Sequence, residues 1–332
     1  VLERVVETKL PLIYVNQVGG QDELVFDGGS FVVNSDYRIV TKLSNFVSEI
    51  KTTEWRKEGE KWFCSSNIQG PKTNELIDNY SACVVGLRDY IKKNKFSEVI
   101  IGLSGGIDSA LVSCIAVDAL GHQNVQCVML PSKYTSDESL EDAIQCAKNL
   151  KISPDEIVIN KIVETAEMQL NPFFKGTEKD ITEENIQSRI RAVLLMALSN
   201  KFNRLLLTTG NKSEMAVGYA TLYGDMSGAF NPIKDLYKTE VYKIAEMRNE
   251  IRPSGCLGPE GEVIPKNIII KAPTAELREN QTDQDSLPDY DILDDILFKL
   301  IEEEMSVEAV SYTHLRAHET GRNLVCRLLL EK

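Results

Sequence analysis

Between residues 98 and 210, short apolar runs alternate with amphipathic segments, and this alternation limits the possible folds more than any other feature of the chain. EVIIGL (98–103), VQCVML (125–130), EIVIN (156–160) and RLLLTTG (204–210) read as strands, apolar enough to be covered on both faces. Residues 108–120, 137–150, 161–170 and 182–202 read as helices between them. Neighbouring parallel strands need a crossover, and a helix supplies it. The pattern therefore predicts an α/β fold with a doubly wound parallel sheet covered by helices on both faces.

The flanks differ. Residues 11–40 hold β-type runs, PLIYVNQV and ELVFDGGSFVV, punctuated by Gly19-Gly20 and Gly28-Gly29. Residues 51–73 are polar, have no period and read as a connector. From Asn74, apolar residues Leu76, Ile77, Tyr80, Val84, Leu87 and Ile91 recur at helical spacing. Gln281–Pro288 is polar and unpatterned, which predicts a partly mobile stretch.

Length and charge narrow the function classes. A chain of 332 residues has room for roughly two domains. Its net charge of −13 argues against a general nucleic-acid binder, because phosphate attraction needs clustered Lys and Arg. Residues 272–308 alone hold twelve Asp/Glu against two Lys/Arg. No apolar run approaches the roughly 20 residues of a membrane span, and no signal segment opens the chain. The seven cysteines (64, 83, 114, 127, 146, 256 and 326) form no CxxC pair. That usage predicts reduced thiols in a cytoplasmic protein. Three histidines, His122, His314 and His318, offer little for a zinc site. The first residue is Val1, which suggests a piece of a longer protein.

The chemistry concentrates between the first strand and its helix, in Gly102-Leu103-Ser104-Gly105-Gly106-Ile107-Asp108-Ser109. In a doubly wound fold this is the ligand crevice, beyond the carboxyl end of a strand. Gly105 and Gly106 permit a tight turn and close backbone approach to an anion. Helix-opening N–H groups, with the Ser104 and Ser109 hydroxyls, can hold a phosphate. Asp108 would repel that phosphate unless a divalent cation lay between them, so the loop suggests Mg²⁺. The plainer reading is a βα turn with a capping Asp. No Lys follows the glycines, so this is not a Walker loop.

SGGIDS resembles the pyrophosphate loop of the N-type ATP pyrophosphatases, which cleave ATP between the α and β phosphates. Further blocks resemble the glutamine-dependent NAD⁺ synthetase family. They are YSACVVGLRDYIKKNKFSEVIIGLSGGIDSALV, ENIQSRIRAVLLMALSN, LLLTTGNKSEMAVGYATLYGDMSGAFNPIKDLYKTEVY and APTAELRENQTDQDSLPDYDILDDIL. The resemblance covers residues 74–308 and implies an adenine nucleotide alpha hydrolase-like fold. IYVNQVGGQDELVFDGGSFV resembles the last strands of the family's nitrilase-like glutaminase domain. The implied organisation is a glutaminase remnant over 1–50, a linker over 51–73, a synthetase domain over 74–310 and a foreign tail over 311–332.

The implied reaction is ATP-dependent amidation of deamido-NAD⁺ through an acyl-adenylate, releasing AMP and pyrophosphate. The resemblance assigns Asp108 and Glu214 to Mg²⁺, and Asp108, Glu214 and Lys238 to catalysis. It assigns Gly102, Leu103, Ser104, Gly105, Gly106, Ile107, Asp108, Ser109, Met129, Leu130, Thr209 and Thr274 to ATP. It assigns Asn185, Arg189, Glu214, Asp225, Lys234 and Lys238 to deamido-NAD⁺. Plainer readings stand beside several of these: a helix-start Glu for Glu214, a turn Asp for Asp225, and surface lysines for Lys234 and Lys238. Arg189 and Arg191 could neutralise phosphates, but an exposed helical Arg is more often a solvated face; Met129 and Leu130 read equally as apolar core.

The family's glutaminase uses a Glu, a Lys and a nucleophilic Cys that lie before the region present here. None of the seven cysteines stands in the matching motif, so free ammonia is the expected nitrogen source for this chain, and glutamine for the full-length protein. The full-length form is expected to be a homo-oligomer. From Ser311, SYTHLRAHETGRNLVCRLLLEK departs from the family pattern and resembles a translated sequencing adapter. Two other readings remain open: a different amide- or thio-transferring ATP pyrophosphatase, and a non-catalytic nucleotide-binding module. Acceptor choice among deamido-NAD⁺, xanthylate and aspartate separates the first, and metal-dependent pyrophosphate release the second.

Overall fold

The computed structural model describes residues 1–72 and 74–314. His318, Cys326 and most of the segment read as a foreign tail lie outside them. The chain forms two compact units, Val1–Lys95 and Phe96–Lys332.

The first unit opens with α1 (Leu2–Thr8), followed by β1 (Leu12–Tyr14), β2 (Val18–Gln21), β3 (Leu24–Asp27), β4 (Phe31–Val33) and β5 (Ile39–Lys42). Next come β6 (Trp55–Glu58), β7 (Lys61–Cys64), β8 (Ile68–Gln69) and α2 (Glu75–Lys93). One sheet has the order β1-β4-β5-β8, and β2–β3 and β6–β7 are separate antiparallel hairpins. The stretch expected as a connector thus carries a hairpin, turning at Gly59 with φ +63°. Its alternation is hidden because charged Arg56, Lys57, Glu58 and Lys61 fill both faces. α2 packs on the β2–β3 hairpin. Gly20 N–H donates to Asp89 at 2.8 Å and Lys93 donates to the Gly20 carbonyl at 2.5 Å. Asn74 caps this helix by accepting the Leu76 and Ile77 N–H groups.

The second unit begins with β9 (Val99–Gly102), α3 (Ile107–Leu120), β10 (Val125–Met129), α4 (Asp137–Asn149) and β11 (Asp155–Glu156). It continues with α5 (Asn160–Leu170), α6 (Ile181–Phe202), β12 (Leu205–Leu206), α7 (Lys212–Val217), α8 (Lys238–Glu250), α9 (Lys266–Ile270), α10 (Tyr290–Ile301) and α11 (Val307–His314). The four strands are parallel in the order β11-β10-β9-β12, the doubly wound arrangement expected. Ile100, Val128 and Leu206 pack with Ile159 and Val163 and with Leu194, Leu195 and Leu198 of α6. Side chains alternate along β9, so Val99 and Ile101 face the other way, where α3 packs on β9 and β10. Each such fully buried aliphatic side chain stabilises the unit by about 1.5–3 kcal/mol. α3 is buried around nearly its whole circumference, which explains why IDSALVSCIAVDAL shows no polar stripe.

Two strands are shorter than their apolar runs. The run 156–160 is strand only as Asp155–Glu156, although Ile157 and Ile159 still donate to the carbonyls of Met129 and Pro131. The run 204–210 is strand only over Leu205–Leu206, because beyond it the backbone turns to pair with Ala229 and Phe230. The 281–288 stretch is not featureless: it holds a 3₁₀ turn, Asp283–Asp285, with Asp283 buried.

Candidate active site

The glycine loop follows β9 directly, so its geometry is set by the sheet. Leu103 N–H donates to the Val128 carbonyl at 2.9 Å, the last tie to the neighbouring strand. Gly105 then takes φ +82°, and a Cβ there would lie 2.1 Å from the Ser139 carbonyl oxygen. Only glycine fits both the dihedral and the contact. Gly106, not Asp108, is the residue preceding the first turn of α3. Ser104 and Ser109 hydroxyls lie 3.1 Å apart, and Gly106 N–H donates to Ser104 Oγ at 3.2 Å. The serines therefore brace the loop. Leu103 and Ile107 bury their side chains in the core, so neither offers a side chain to a ligand.

Asp108, at the start of α3, meets two elements from far along the chain. Lys238 Nζ donates to Asp108 Oδ2 at 2.5 Å and to Glu214 Oε1 at 3.2 Å. Lys238 is 2% exposed, so the surface-lysine reading is wrong. Its backbone N–H donates to Ser213 Oγ at 2.8 Å, and Thr239 N–H to Asp294 at 2.8 Å, which holds the first turn of α8 against α7 and α10. Burial, and after it the Asp108 charge, raise the Glu214 carboxyl against the opposing pull of Lys238, leaving it pushed up to about 7. Burial opposes the Lys238 charge, yet Asp108 and Glu214 together hold its pKa above the ordinary lysine value. Lys238 also sits 5.3 Å from the Tyr290 ring centroid, a cation–π contact.

Two residues of this cluster went unread in the sequence. Asn211 Nδ2 donates to Asp108 Oδ1 at 2.9 Å, while its Oδ1 accepts Glu214 N–H at 3.0 Å and so caps α7. The N-x-x-E spacing of Asn211 and Glu214 is a capping-box signal that could have placed it. Asp283 accepts from Tyr290 at 2.8 Å and Tyr219 at 3.3 Å, and burial raises its pKa. Nothing local in QTDQD marks that role.

The other expected residues fall into separate groups. Asn185 accepts from Thr221 Oγ1 at 2.9 Å, Arg189 donates to the Leu222 carbonyl at 3.2 Å, and Asp225 accepts Thr221 N–H at 2.8 Å. Ser188 donates to Asp225 and accepts its N–H, so α6 and the 221–225 loop carry one polar cluster. Thr274 closes a turn by donating to the Gln281 carbonyl at 2.6 Å. Glu276, two residues on, accepts from Ser136 and Ser139 beside the glycine loop. Arg191 is not solvated: it donates to the Leu130 carbonyl at 3.0 Å, and burial lowers its pKa to about 10. Met129 and Leu130 are buried, and Thr209 and Lys234 are half-buried.

Asp108 and Glu214 present two hard oxygens converging on one cationic group, a donor set that suits Mg²⁺ completed by phosphate oxygens and water. Among the described residues no cluster of three or more His, Cys, Asp or Glu side chains adds an all-protein cage.

The NAD synthase family model matches residues 79–329, a span that continues past Ser311. The glutamine-dependent NAD(+) synthetase of Rhodobacter capsulatus is 51% identical over 308 residues, which are 92% of this chain and 56% of that protein. The chain thus spans about half the length of the curated relatives it matches. Among solved structures, the glutamine-dependent NAD+ synthetase from Acinetobacter baumannii, in complex with ADP, superposes with a TM-score of 0.74 at 40% identity, over 98% of this chain and 57% of that one. The NH3-dependent NAD synthetase from Campylobacter jejuni gives 0.58 at 27% identity, over 77% of this chain and 94% of that one. Because the family model runs through the whole parallel sheet and the Gly105–Asp108 loop, and takes in Glu214 and Lys238, this chain is a member of the NAD synthase family.

Proposed function

We propose that this chain is the synthetase part of a glutamine-dependent NAD⁺ synthetase and amidates deamido-NAD⁺ at the expense of ATP. The observation that carries this reading is Lys238, buried between Asp108 and Glu214 beside the glycine loop at the mouth of the sheet. A carboxylate does not react with ammonia directly, because oxide is a poor leaving group. In the first step a nicotinate oxygen bonds to the ATP α-phosphorus and the bond to the β-phosphate oxygen breaks, releasing pyrophosphate. In the second, ammonia bonds to the acyl carbon, AMP leaves and the nitrogen loses a proton.

The protein's work is placement and charge. Within the Gly102–Ser109 loop, the N–H groups of Gly105, Ile107, Asp108 and Ser109 at the start of the 14-residue helix α3 hold phosphate oxygens. Asp108 and Glu214 would hold Mg²⁺, which when bound offsets triphosphate charge. Lys238 carries its positive charge to the pyrophosphate as it departs. Thr209, Thr274 and the backbone of Met129 and Leu130 surround ATP. Asn185, Arg189 and Asp225, with Lys234, hold deamido-NAD⁺; the cluster of α6 with the 221–225 loop supports this grouping.

Free ammonia is the nitrogen source for this chain, a reading supported by the extent of its match to an NH3-dependent synthetase. Cys64, Cys127, Cys146 and Cys256 are free thiols, a usage that supports a cytoplasmic enzyme. Exposed apolar Val193, Met196 and Phe202 on α6 support a homo-oligomer for the full-length protein.

The test supplies ATP, Mg²⁺ and deamido-NAD⁺ with either ammonium or glutamine. AMP, pyrophosphate and NAD⁺ with ammonium, and none with glutamine, are the expected products. Absence of AMP with both nitrogen sources contradicts the reading.

A further inference from the structure

α3 and α8 are joined by two ion pairs, one near each end. Asp108 meets Lys238 near their N-termini, and Asp118 meets Arg248 near their C-termini. Both pairs are 130 residues apart in sequence, so the two helices run parallel and in step over ten residues, about 15 Å. The first pair lies in the candidate active site. The second has no opening to solvent: Asp118 and Arg248 side chains are both 0% exposed.

The second pair is closely built. Arg248 Nε donates to Asp118 Oδ2 at 2.6 Å and Nη2 to Oδ1 at 3.1 Å, a two-point fork. Gly258 N–H donates to the same Oδ1 at 3.0 Å, and a Cβ at Gly258 would lie 2.2 Å from it. Arg248 Nη2 also donates to the Pro259 carbonyl at 2.7 Å. A carboxylate in the last turn of a helix opposes the helix dipole. Burying an ion pair typically gains little over apolar residues of like volume. Net stability is therefore a weak reason for this arrangement, whereas a rigid fork is a strong constraint on how far one helix can slide along the other.

We propose that Asp118 and Arg248 are positioning residues that set α8 in register with α3 and so bring Lys238 onto Asp108. The site end alone does not fix this register. Ser213 and Asp294 tie the start of α8 to α7 and α10, which sets Lys238 relative to Glu214. The Asp118–Arg248 fork ties α8 to α3, which sets it relative to Asp108. A slide of one residue, about 1.5 Å, breaks the fork and carries Lys238 out of its 2.5 Å contact. The kinetic part of this inference rests on the function proposed above; the geometric part does not.

The test uses the whole chain with Asp118→Asn combined with Arg248→Met, which removes both charges and keeps an acceptor for Gly258 N–H. Two readouts are taken: the Lys238 Nζ to Asp108 Oδ2 separation in crystals, and kcat and KM for AMP release. The expected result is a folded protein with that separation beyond 3.5 Å, kcat at least tenfold lower and the KM for ATP within twofold. A folded double variant with the native separation and kcat overturns the proposal. Where the double variant does not fold, Arg248→Lys decides, since it keeps the charge and loses the fork. A three- to tenfold loss of kcat with a longer separation supports positioning, and native values of both refute it. Absence of turnover in the unaltered chain refutes the proposed function and leaves the crystallographic separation to judge the register.

Discussion

Asn211 joins Asp108 to the helix that carries Glu214: its amide nitrogen donates to Asp108 Oδ1 at 2.9 Å and its amide oxygen caps α7 through Glu214 N–H at 3.0 Å. One side chain thereby sets the spacing of the two carboxylates, and each half of the amide has a separate task.

Two variants separate these tasks. Asn211→Ala removes both, so stability falls by about 1 kcal/mol for the lost cap and AMP release falls more than tenfold. Asn211→Asp keeps a capping oxygen but sets a carboxylate against Asp108. Its melting temperature stays nearer the native value than that of Asn211→Ala, while its turnover falls at least as far. Thermal melts and AMP release in parallel check this; equal turnover in all three proteins removes Asn211 from the account.

Gly105→Ala tests the loop. The new methyl meets both an unfavourable φ of +82° and the Ser139 carbonyl at 2.1 Å. The expected cost is more than about 1 kcal/mol, read from the urea midpoint, with weakened ATP binding. Gly59→Ala is the control: it shares the positive φ but has nothing within 4 Å, so it costs less and leaves ATP binding unchanged.

The buried thiols give a pH prediction. Burial pushes the Cys127 thiol up from 9.0 to about 11 and that of Cys256 from 9.0 to about 12. A pKa raised by folding favours the fold fully below the unfolded value, and that contribution is lost as pH rises through the folded value. Both thiols therefore favour the folded state below pH 9 and cease to do so between about pH 9 and 12. Urea midpoints should fall between pH 8.5 and 10.5, and by less in Cys127→Ala. A thiol reagent at pH 8 should label neither residue before unfolding; rapid labelling of Cys127 would show the sheet to be open there.

The legible part of this chain was what burial imposes locally. Contiguous apolar strands and the buried helix after the glycine loop followed from VIIG, VQCVM and IDSALVSCIAVDAL, because a covered parallel sheet needs such runs. Strand ends were less legible, since β12 stops at Leu206 for the sake of a pairing with residues 229–230 that lie far along the chain. The hairpin at 55–64 was hidden by charges on both its faces. Within the site, the loop motif marked Asp108, and family resemblance marked Glu214 and Lys238. The burial of Lys238 was not legible, because DLYKTE looks like any exposed helix start and its partners stand 130 and 24 residues away.

Asp108, held by Lys238 and Asn211, is the residue on which the proposed handling of triphosphate charge turns. The most direct measurement is AMP release from ATP and deamido-NAD⁺ with ammonium and Mg²⁺ by the native chain and by Asp108→Asn, with melting curves of both. The account predicts similar melts and a rate loss of about 100-fold or more in the variant. A folded Asp108→Asn protein that releases AMP at close to the native rate would contradict it.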